Sequence, residues 1–358
     1  MKQLIDRLAT EHSLNKEEWI ELIGGRNTEI DEYIAKKARQ VCDRIYGRDI
    51  FIRGLIELTN FCRNDCFYCG IRKSNSLVER YRLTSEEVLS CCQQGYALGF
   101  RTFVLQGGED EFFTGERMVK LISSIKSRYP DCAVTLSLGE QSRETYQSYF
   151  DAGADRYLLR HETACAAHYK RLHPPSLSLA NRFRCLDDLK EIGFQVGCGF
   201  MVGSPFQTIE NLAEDMLFIK KFEPHMVGIG PFIPHHQTPF AKFSPGDEGL
   251  TVFLIAALRL MLPGVLLPAT TALATMDPHG REKAVLAGAN VVMPNLSPKA
   301  VRKKYLLYDN KACTGCEAAE ALMELSLKMK KIGFHVTVSR GDYRTENNVE
   351  EEENYGTE

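Results

Sequence analysis

The stretch IRGLIELTNFCRNDCFYCG, residues 52–70, joins a run of β-favouring residues to a loop with three cysteines. The run 52–58 is apolar and rich in branched side chains, which predicts a buried strand. Cys62, Cys66 and Cys69 follow with three and then two residues between them, so one loop can bring three sulfurs to a single cluster. A 4Fe-4S cluster normally takes four thiolates, and three would leave one iron open to a further ligand. The stretch therefore predicts an iron-sulfur site at the end of a first strand.

Two other interpretations of the cysteines are a zinc site and a set of buried thiols. Zinc would require a fourth nearby Cys or His, and none lies between Phe51 and Cys91 apart from the triplet itself. The intervening Arg63, Asn64 and Asp65 make a buried thiol loop implausible, because charged side chains are costly to bury. The cluster is therefore the favoured interpretation.

Similar β-favouring runs recur along the chain and alternate with helix-like segments. The eight runs are 52–58, 102–106, 133–138, 156–160, 195–202, 226–233, 266–273 and 290–294. Between them, 85–98 and 208–222 carry apolar residues at helical spacing, and Thr84 with Glu87 has the pattern of a capping box. Eight strand-helix alternations predict an α/β fold, a (β/α)8 TIM-type barrel, whose active site lies at the carboxyl ends of the strands. Because the segment 233–249 is rich in loop residues, a partial barrel of six units with a trailing appendage is the alternative.

The sequence divides into four parts around this barrel. Residues 1–50 are predicted to be a helical extension, with a capping box at Asn15 and Glu18 and an amphipathic pattern over 30–46. The barrel is expected over 51–310. A C-terminal helix and short strand that pack on the barrel follow over 311–345, and 346–358 form an acidic, disordered tail.

Composition excludes several classes of partner. The net charge of −3 and the pI near 6.3 provide no basic field for a nucleic acid, so a small-molecule substrate is expected. The N-terminus lacks the apolar stretch of a signal peptide, and 250–268 is interrupted by Arg259, Pro263 and Gly264, which argues against a membrane span. Twelve cysteines in a cytoplasmic chain would stay reduced, and their clustering favours metal binding over disulfides.

Polar residues and glycines follow three of the predicted strands. They are Gln106, Gly107, Gly108 and Glu109 after the second, Arg160, His161 and Glu162 after the fourth, and Met201, Gly203 and Thr208 on or after the fifth. Glycines allow a backbone to approach a ligand closely, although they also fit tight turns. A charged trio at a barrel rim favours a polar pocket, because unpaired charges are costly to bury.

Longer phrases carry a resemblance to a known family. RYLLRHETA (156–164), MVGIGPFIPH (226–235), PATTA (268–272) and NVVMPN (290–295) resemble the HydE family, the radical S-adenosylmethionine (SAM) maturases of FeFe-hydrogenase. The likeness covers about 52–308. It implies a complete radical SAM barrel with an internal cavity and reductive cleavage of SAM to a 5′-deoxyadenosyl radical. It also implies a part in assembling the diiron subcluster of the hydrogenase, on a cysteine-bound iron carbonyl-cyanide complex.

The resemblance also implies roles for individual residues. Cys62, Cys66 and Cys69 would hold the SAM-cleaving 4Fe-4S cluster. The expected SAM contacts are Tyr68, Gln106, Gly107, Gly108, Glu109, Glu162, Arg182, Met201 and Gly203. The expected substrate contacts are Ser137, Arg160, Thr270, Thr271 and Met293, which would offer donors and a polarizable wall to an organometallic or sulfur-containing small molecule. Implied protein partners are a tyrosine-cleaving radical SAM maturase, a GTPase scaffold, and an electron donor such as ferredoxin or flavodoxin.

The chain departs from the family pattern near its C-terminus. Some members carry three cysteines there for a second cluster, but here only Cys313 and Cys316 are present and no upstream cysteine is nearer than Cys198. We therefore expect no stable second cluster. The remaining cysteines, at 42, 91, 92, 132, 165, 185 and 198, are interpreted as small buried residues.

Three other functions stay open at this stage. One is a biotin synthase-like enzyme, which would need cysteines lining the barrel, and another is a methylornithine synthase-like mutase. The third is a catalytically silent scaffold that carries an iron-sulfur cluster without turning over SAM. The sequence leaves open the atom attacked, whether SAM is consumed or regenerated, and the oligomeric state.

Overall fold

The computed structural model describes residues 1–312, 315 and 317–345. Its strands are β1 (Asp49–Ile52), β2 (Gly54–Thr59), β3 (Thr102–Gly107), β4 (Ala133–Ser137), β5 (Arg156–Leu158), β6 (Gln195–Cys198), β7 (Met201–Val202), β8 (Met226–Val227), β9 (Gly230–Pro231), β10 (Val291–Val292) and β11 (His335–Thr337). Its α-helices are α1 (Lys2–Glu11), α2 (Lys16–Gly24), α3 (Thr28–Tyr46), α4 (Ser85–Ala97), α5 (Gly115–Arg128), α6 (Arg143–Asp151), α7 (Ala166–Leu172), α8 (Leu179–Ile192), α9 (Ile209–Phe222), α10 (Glu248–Met261), α11 (Thr271–Met276), α12 (Gly280–Leu286), α13 (Lys299–Arg302) and α14 (Ala318–Lys331). Cys313, Cys316 and the segment 346–358 lie outside the described residues.

The strands close into a parallel barrel with eight strand positions, which we call staves. Six pair in the order β2-β3-β4-β5-β6-β8, and β1 pairs with β10. Isolated parallel pairs, Met226 with Leu266 and Pro268 with Val291, supply the seventh stave, and Leu55 with Asn295 completes the ring. The predicted (β/α)8 barrel is confirmed, and the six-unit alternative is wrong.

The later staves are shorter and more irregular than the predicted runs. The fifth is broken between Cys198 and Met201, where Gly199 packs directly on the backbone of Gly228. The predicted run 266–273 ends early, since α11 already begins at Thr271. Pro268 has no N–H to give to a ladder, so pairing in this stave is limited to isolated contacts such as the Ala269 N–H to the Val291 carbonyl at 2.8 Å, and the chain then turns into α11.

The three N-terminal helices pack on the outside of the barrel. The predicted capping boxes at Asn15 and Thr84 are both present, with the N3 glutamates returning the hydrogen bond. Side chains of the extension bond to loops of the barrel: the His12 ring lies 2.7 Å from the Leu260 carbonyl and the Tyr46 hydroxyl donates to the Gly264 carbonyl at 2.6 Å. These contacts fix the extension to the barrel wall.

The C-terminal segment adds a strand beside the barrel. After α14, β11 pairs in parallel with β1, on the side of β1 opposite β10. Of the cysteines interpreted as buried, Cys165 is only half-buried, because it lies at the start of α7 at the surface end of a loop. Within the described ranges, the structure contains no helix that combines the length and apolar character needed to cross a bilayer.

Candidate functional site

The cysteine loop begins directly after β2 and is held by buried polar contacts. Arg80 donates to four backbone carbonyls around the loop, those of Asn60, Ile71, Arg72 and Asn75, the last three at 2.8, 2.7 and 3.1 Å. An arginine has five donors in a fixed plane, so a single side chain can fix several carbonyls at once. The Arg80 contacts therefore hold the loop in one shape. Sequence reasoning missed this residue, because no motif marks an arginine eleven positions after the last cysteine.

Asp65 stabilises the same loop from its outer side. Its two carboxylate oxygens accept from the Arg72 guanidinium at 2.7 and 2.5 Å and from the Ser74 backbone and hydroxyl. The hydrogen bond from Arg72 is the main reason that the pKa of Asp65 falls to about 2. Asp65, one of the charged residues that argued against a buried thiol loop, thus forms an ion pair with Arg72.

The three thiols lie close together in a dry environment. Burial raises the pKa of Cys62, raises that of Cys69 to about 12, and raises that of Cys66 well above its usual value, and the neighbouring cysteines add to the shift at Cys66 and Cys69. Three thiolates cannot coexist here without a strong positive charge between them. A cationic iron-sulfur cluster supplies that charge, so the donor set fits the predicted group.

The end of β3 packs directly on the cysteine loop. A Cβ on Gly108 would lie 2.1 Å from the Phe61 carbonyl oxygen and 2.8 Å from the Cys62 Cβ, so only glycine fits. Glu109 is buried and its carboxylate lies 3.1 Å from the Arg63 guanidinium, while its carbonyl accepts from the Arg63 N–H at 2.9 Å. The end of β3 therefore positions Cys62. This close packing is a structural reason for glycine at position 108, in addition to the predicted contact with SAM.

A cavity of about 240 Å³ opens beside Cys69 inside the carboxyl end of the barrel. Eight of the predicted cofactor and substrate residues line it: Tyr68, Gln106, Arg160, Glu162, Met201, Thr270, Thr271 and Met293. They come from five different staves and from the cysteine loop, as expected for a site at the carboxyl ends of barrel strands. The remaining wall is mostly apolar, which suits a small molecule held by a few polar groups.

Three of these groups present buried polar atoms without hydrogen-bond partners among the described residues. They are Nε and Nη2 of Arg160, Oε2 of Glu162 and Oγ1 of Thr270. The Arg160 and Glu162 side chains lie 3.1 Å apart as an ion pair, but not in hydrogen-bonding geometry. Unsatisfied buried groups cost free energy, and here they converge on one cavity, so a polar ligand would satisfy them.

Glu162 is held in an unusual backbone conformation. Its φ of 65° lies in the left-handed region, which is rare for a residue with a side chain. The turn is held by Asp215, fully buried on α9, whose Oδ1 accepts from the Ala164 N–H at 2.5 Å and lies 3.2 Å from Nε2 of His161. Burial lowers the pKa of His161 to about 3, so its ring is neutral at ordinary pH. Asp215 thus fixes both sides of the turn that carries Glu162.

Six predicted contacts are not among the residues lining the cavity: Gly107, Gly108, Glu109, Ser137, Arg182 and Gly203. Arg182 is buried and donates to the Glu140 carboxylate and the Arg160 carbonyl, both at 2.6 Å, so it supports the rim from behind. Gly203 (φ 71°) lies in a tight turn and donates to Gln207, with α9 capped by Thr208 as predicted. Ser137 pairs in register with Gln106, and Glu109 packs on the cysteine loop as described above. Their ligand contacts stay predictions.

Sequence reasoning also missed a buried ion pair in the cavity wall. Glu57 on β2 is fully buried, its Oε1 lies 2.5 Å from Nζ of Lys311, and its Oε2 accepts from the Asn295 amide at 2.9 Å. Lys311 also donates to the Tyr305 carbonyl at 3.0 Å, and the Tyr305 hydroxyl accepts from Gln106 at 3.3 Å. A glutamate in the predicted first strand was the available signal, since a lone carboxylate there needs a partner.

The closed parallel barrel, the three-cysteine loop after its first full strand and the cavity beside it define a radical SAM enzyme. The sequence model of the radical SAM superfamily matches residues 56–219. The methylornithine synthase crystal structure superposes with a TM-score of 0.82 at 24% identity, covering 97% of this chain and 99% of that one.

More specific likeness comes from curated relatives. The FeFe hydrogenase maturase subunit HydE of Thermotoga maritima is 45% identical over 283 residues, which cover 79% of this chain and 80% of the relative. A 3-methylornithine synthase of Methanosarcina acetivorans is 29% identical over 73% of this chain and 72% of its own length. The chain belongs to the HydE family within the radical SAM superfamily.

Proposed function

We propose that this radical SAM enzyme acts in building the diiron subcluster of FeFe-hydrogenase, on a cysteine-bound iron carbonyl-cyanide complex. Cys62, Cys66 and Cys69 would hold a 4Fe-4S cluster, which when bound supplies the electron that breaks the sulfur–C5′ bond of SAM. The observation that carries the proposal is that buried atoms of Arg160, Glu162 and Thr270 without hydrogen-bond partners among the described residues converge on the cavity beside Cys69. The 45% identity to HydE supports the pathway.

The residues of the cavity suit the proposed ligands. Glu162 carries the negative charge expected beside the amino group of SAM, and Arg160 and Thr270 offer donors to an anionic carboxylate or cyanide. Met201 and Met293 provide polarizable apolar walls that tolerate sulfur and metal-bound carbonyls. The cavity lies directly beside Cys69, so a radical formed there would be close to a substrate bound in the same space.

Two other functions remain as outcomes of the test rather than as proposals. A biotin synthase-like sulfur inserter needs sacrificial cysteines in the barrel. Among the described cysteines, only Cys69 lines the cavity, whereas Cys132 and Cys198 are buried elsewhere in the core. A methylornithine synthase-like mutase shares the fold, but its identity to this chain is lower than that of HydE.

The experiment proceeds in two steps. Anaerobically reconstituted protein is mixed with dithionite and SAM, and 5′-deoxyadenosine is measured; its absence would favour a silent scaffold. The gene is then used to complement a strain lacking this maturase, with hydrogenase activity as the readout. Restored activity is expected, whereas biotin from dethiobiotin, or failure to complement despite SAM cleavage, would overturn the maturation assignment.

We further propose that the partners are a tyrosine-cleaving radical SAM maturase, which supplies the iron complex, and a GTPase scaffold that receives the product. A ferredoxin or flavodoxin would provide electrons. The ten free cysteines of the described residues and a reducible cluster support a reducing compartment, hence the cytoplasm.

A further inference from the structure

A series of aromatic rings runs from the surface to the cysteine loop. Phe206 and Phe243 are 39% and 38% exposed, and their ring centroids lie 5.2 Å apart. Both contact Phe240, at 6.0 and 5.3 Å between centroids, and Phe240 lies 6.1 Å from Phe67. Phe67 stands between Cys66 and Cys69 in the chain. The exposed rings are therefore continuous with the loop that would hold the cluster.

One basic side chain stacks on an exposed ring, and a second is exposed next to it in the chain. The Arg171 guanidinium carbon lies 3.4 Å from the centre of the Phe206 ring, and Lys170 is exposed beside it on α7. The carbonyl of Leu172, at the end of α7, accepts from the Phe67 N–H at 3.0 Å, which joins this helix to the cysteine loop. The cysteine loop and the end of α7 therefore lie next to each other.

Two further lysines extend the same face. Lys242 is exposed next to Phe243, and Lys73 is exposed on the segment whose N–H donates to the Asn64 carbonyl of the cysteine loop at 2.8 Å. Neither has an ion-pair partner among the described residues, nor has Lys170 or Arg171. The nearby carboxylate of Asp65 is already neutralised by Arg72. The face is locally basic in a chain whose net charge is −3.

The backbone of Phe206 adds an independent observation. Its φ of 70° is left-handed, a conformation that a bulky residue seldom adopts because it is strained. The turn is held by a contact of 3.0 Å between the His168 ring and the Pro205 carbonyl, and by the Gln207 N–H donating to Ser204. A strained turn that displays an aromatic ring at the surface is typical of a contact site.

We propose that this face, made of Phe206, Phe243, Lys73, Lys170, Arg171 and Lys242, docks an acidic one-electron carrier protein of the flavodoxin or ferredoxin class. Basic side chains would steer such a carrier, and the exposed rings would anchor it. The carrier loses one electron and the cluster with its bound SAM gains it, so no other reductant is needed. The proposal rests on the reductive cleavage of SAM, since a scaffold would need no such carrier.

The test compares two reductants on the full-length reconstituted enzyme. Formation of 5′-deoxyadenosine is driven either by dithionite, which is small and needs no docking, or by photoreduced flavodoxin at increasing concentration. In Lys170→Glu/Arg171→Glu, the flavodoxin concentration for half-maximal rate should rise about tenfold or more, and the salt dependence should weaken, while the dithionite rate stays within about twofold.

A matched control reverses the same number of charges elsewhere. Lys330→Glu/Lys331→Glu on α14 should leave the flavodoxin dependence unchanged. Phe206→Asn, which tolerates the left-handed backbone, should lower the flavodoxin-driven rate about three- to tenfold without lowering Tm. An unchanged flavodoxin dependence in both face variants, or an equal shift in the control, would overturn the docking face. No product with dithionite in the parent enzyme would instead overturn the assigned SAM chemistry.

Discussion

Two sets of polar groups face the same cavity, and they differ in whether the chain itself satisfies them. Glu57 and Lys311 line it, and with the Asn295 amide they form a closed network in which both carboxylate oxygens have a partner. Arg160 and Glu162 form an ion pair, but both keep buried atoms without hydrogen-bond partners in the described part of the chain. Completed networks hold a fold together, whereas incomplete ones are stable only when something else binds. The difference indicates a structural role for the first set and supports the ligand-binding role proposed for the second.

The largest effect is expected when a thiol of the cysteine loop is removed, because these thiols also depend on a bound group. Cys66→Ala should lose the bound iron and reduce 5′-deoxyadenosine formation at least about 10³-fold, because two thiolates cannot retain the cluster. Iron content and product are measured after anaerobic reconstitution. Cys198→Ala is the matched control, a buried thiol on β6 away from the loop, and it should keep both. Full turnover by Cys66→Ala would show that the cluster does not need this thiol and would contradict the assignment.

Breaking the complete network should mainly cost stability. Lys311→Met leaves the fully buried Glu57 without its cation, so we expect a loss of about 3–5 kcal/mol in the free energy of unfolding. The double variant Glu57→Gln/Lys311→Met removes both charges and should recover much of that loss. Denaturant unfolding of the three proteins measures this. Equal stability of Lys311→Met and the parent would mean that this pair is not structural.

For Glu162→Gln we expect a change in the KM for SAM rather than in stability. The Oε2 atom of Glu162 accepts no hydrogen bond within the described residues, and its ion-pair partner Arg160 has a side chain that is 32% exposed, so loss of the pair should leave Tm nearly unchanged. The KM for SAM should rise about 10- to 100-fold, because a charge-assisted contact to the bound cosubstrate is lost. Steady-state kinetics and thermal unfolding are run on the same preparation. A drop in Tm with an unaltered KM would place Glu162 among the structural groups.

The smallest effect is the acid dependence of the Asp65–Arg72 pair. The pKa of Asp65 lies at about 2 in the folded chain, below its ordinary 3.8. The carboxylate therefore contributes stability that is complete above about pH 4 and is lost as the pH falls towards 2, at most about 2 kcal/mol. Unfolding of the protein before reconstitution is compared at pH 5 and 3. Asp65→Asn should flatten that difference, and an unaltered pH dependence would contradict the assignment.

Local patterns were sufficient to predict the barrel and the cysteine loop. The run 52–58 and the spacing of Cys62, Cys66 and Cys69 lie within one short stretch, and their consequences are local. The ends of the later staves could not be predicted as well. Pairing at Leu266 and Pro268 depends on neighbours that are distant in the chain, so the run was predicted four residues too long beyond Ala269.

The partners that support the site were the least predictable part. Glu57 meets Lys311 and His161 meets Asp215 across separations of 254 and 54 residues. Nothing in either local sequence specifies the other member, because the pairing is produced by closure of the barrel. The resemblance to a known family named eight residues that line the cavity, but not Glu57, Lys311 or Asp215, whose partners lie far away in the chain.

The left-handed backbone of Glu162 has a consequence for how this chain balances durability against chemistry. A glycine would adopt that conformation without strain, and the fold would be more robust for it. Under the proposed function, a carboxylate there would give up some resistance to unfolding in exchange for a contact to SAM. Engineering a hardier version of this enzyme should therefore leave position 162 untouched and seek its gains elsewhere.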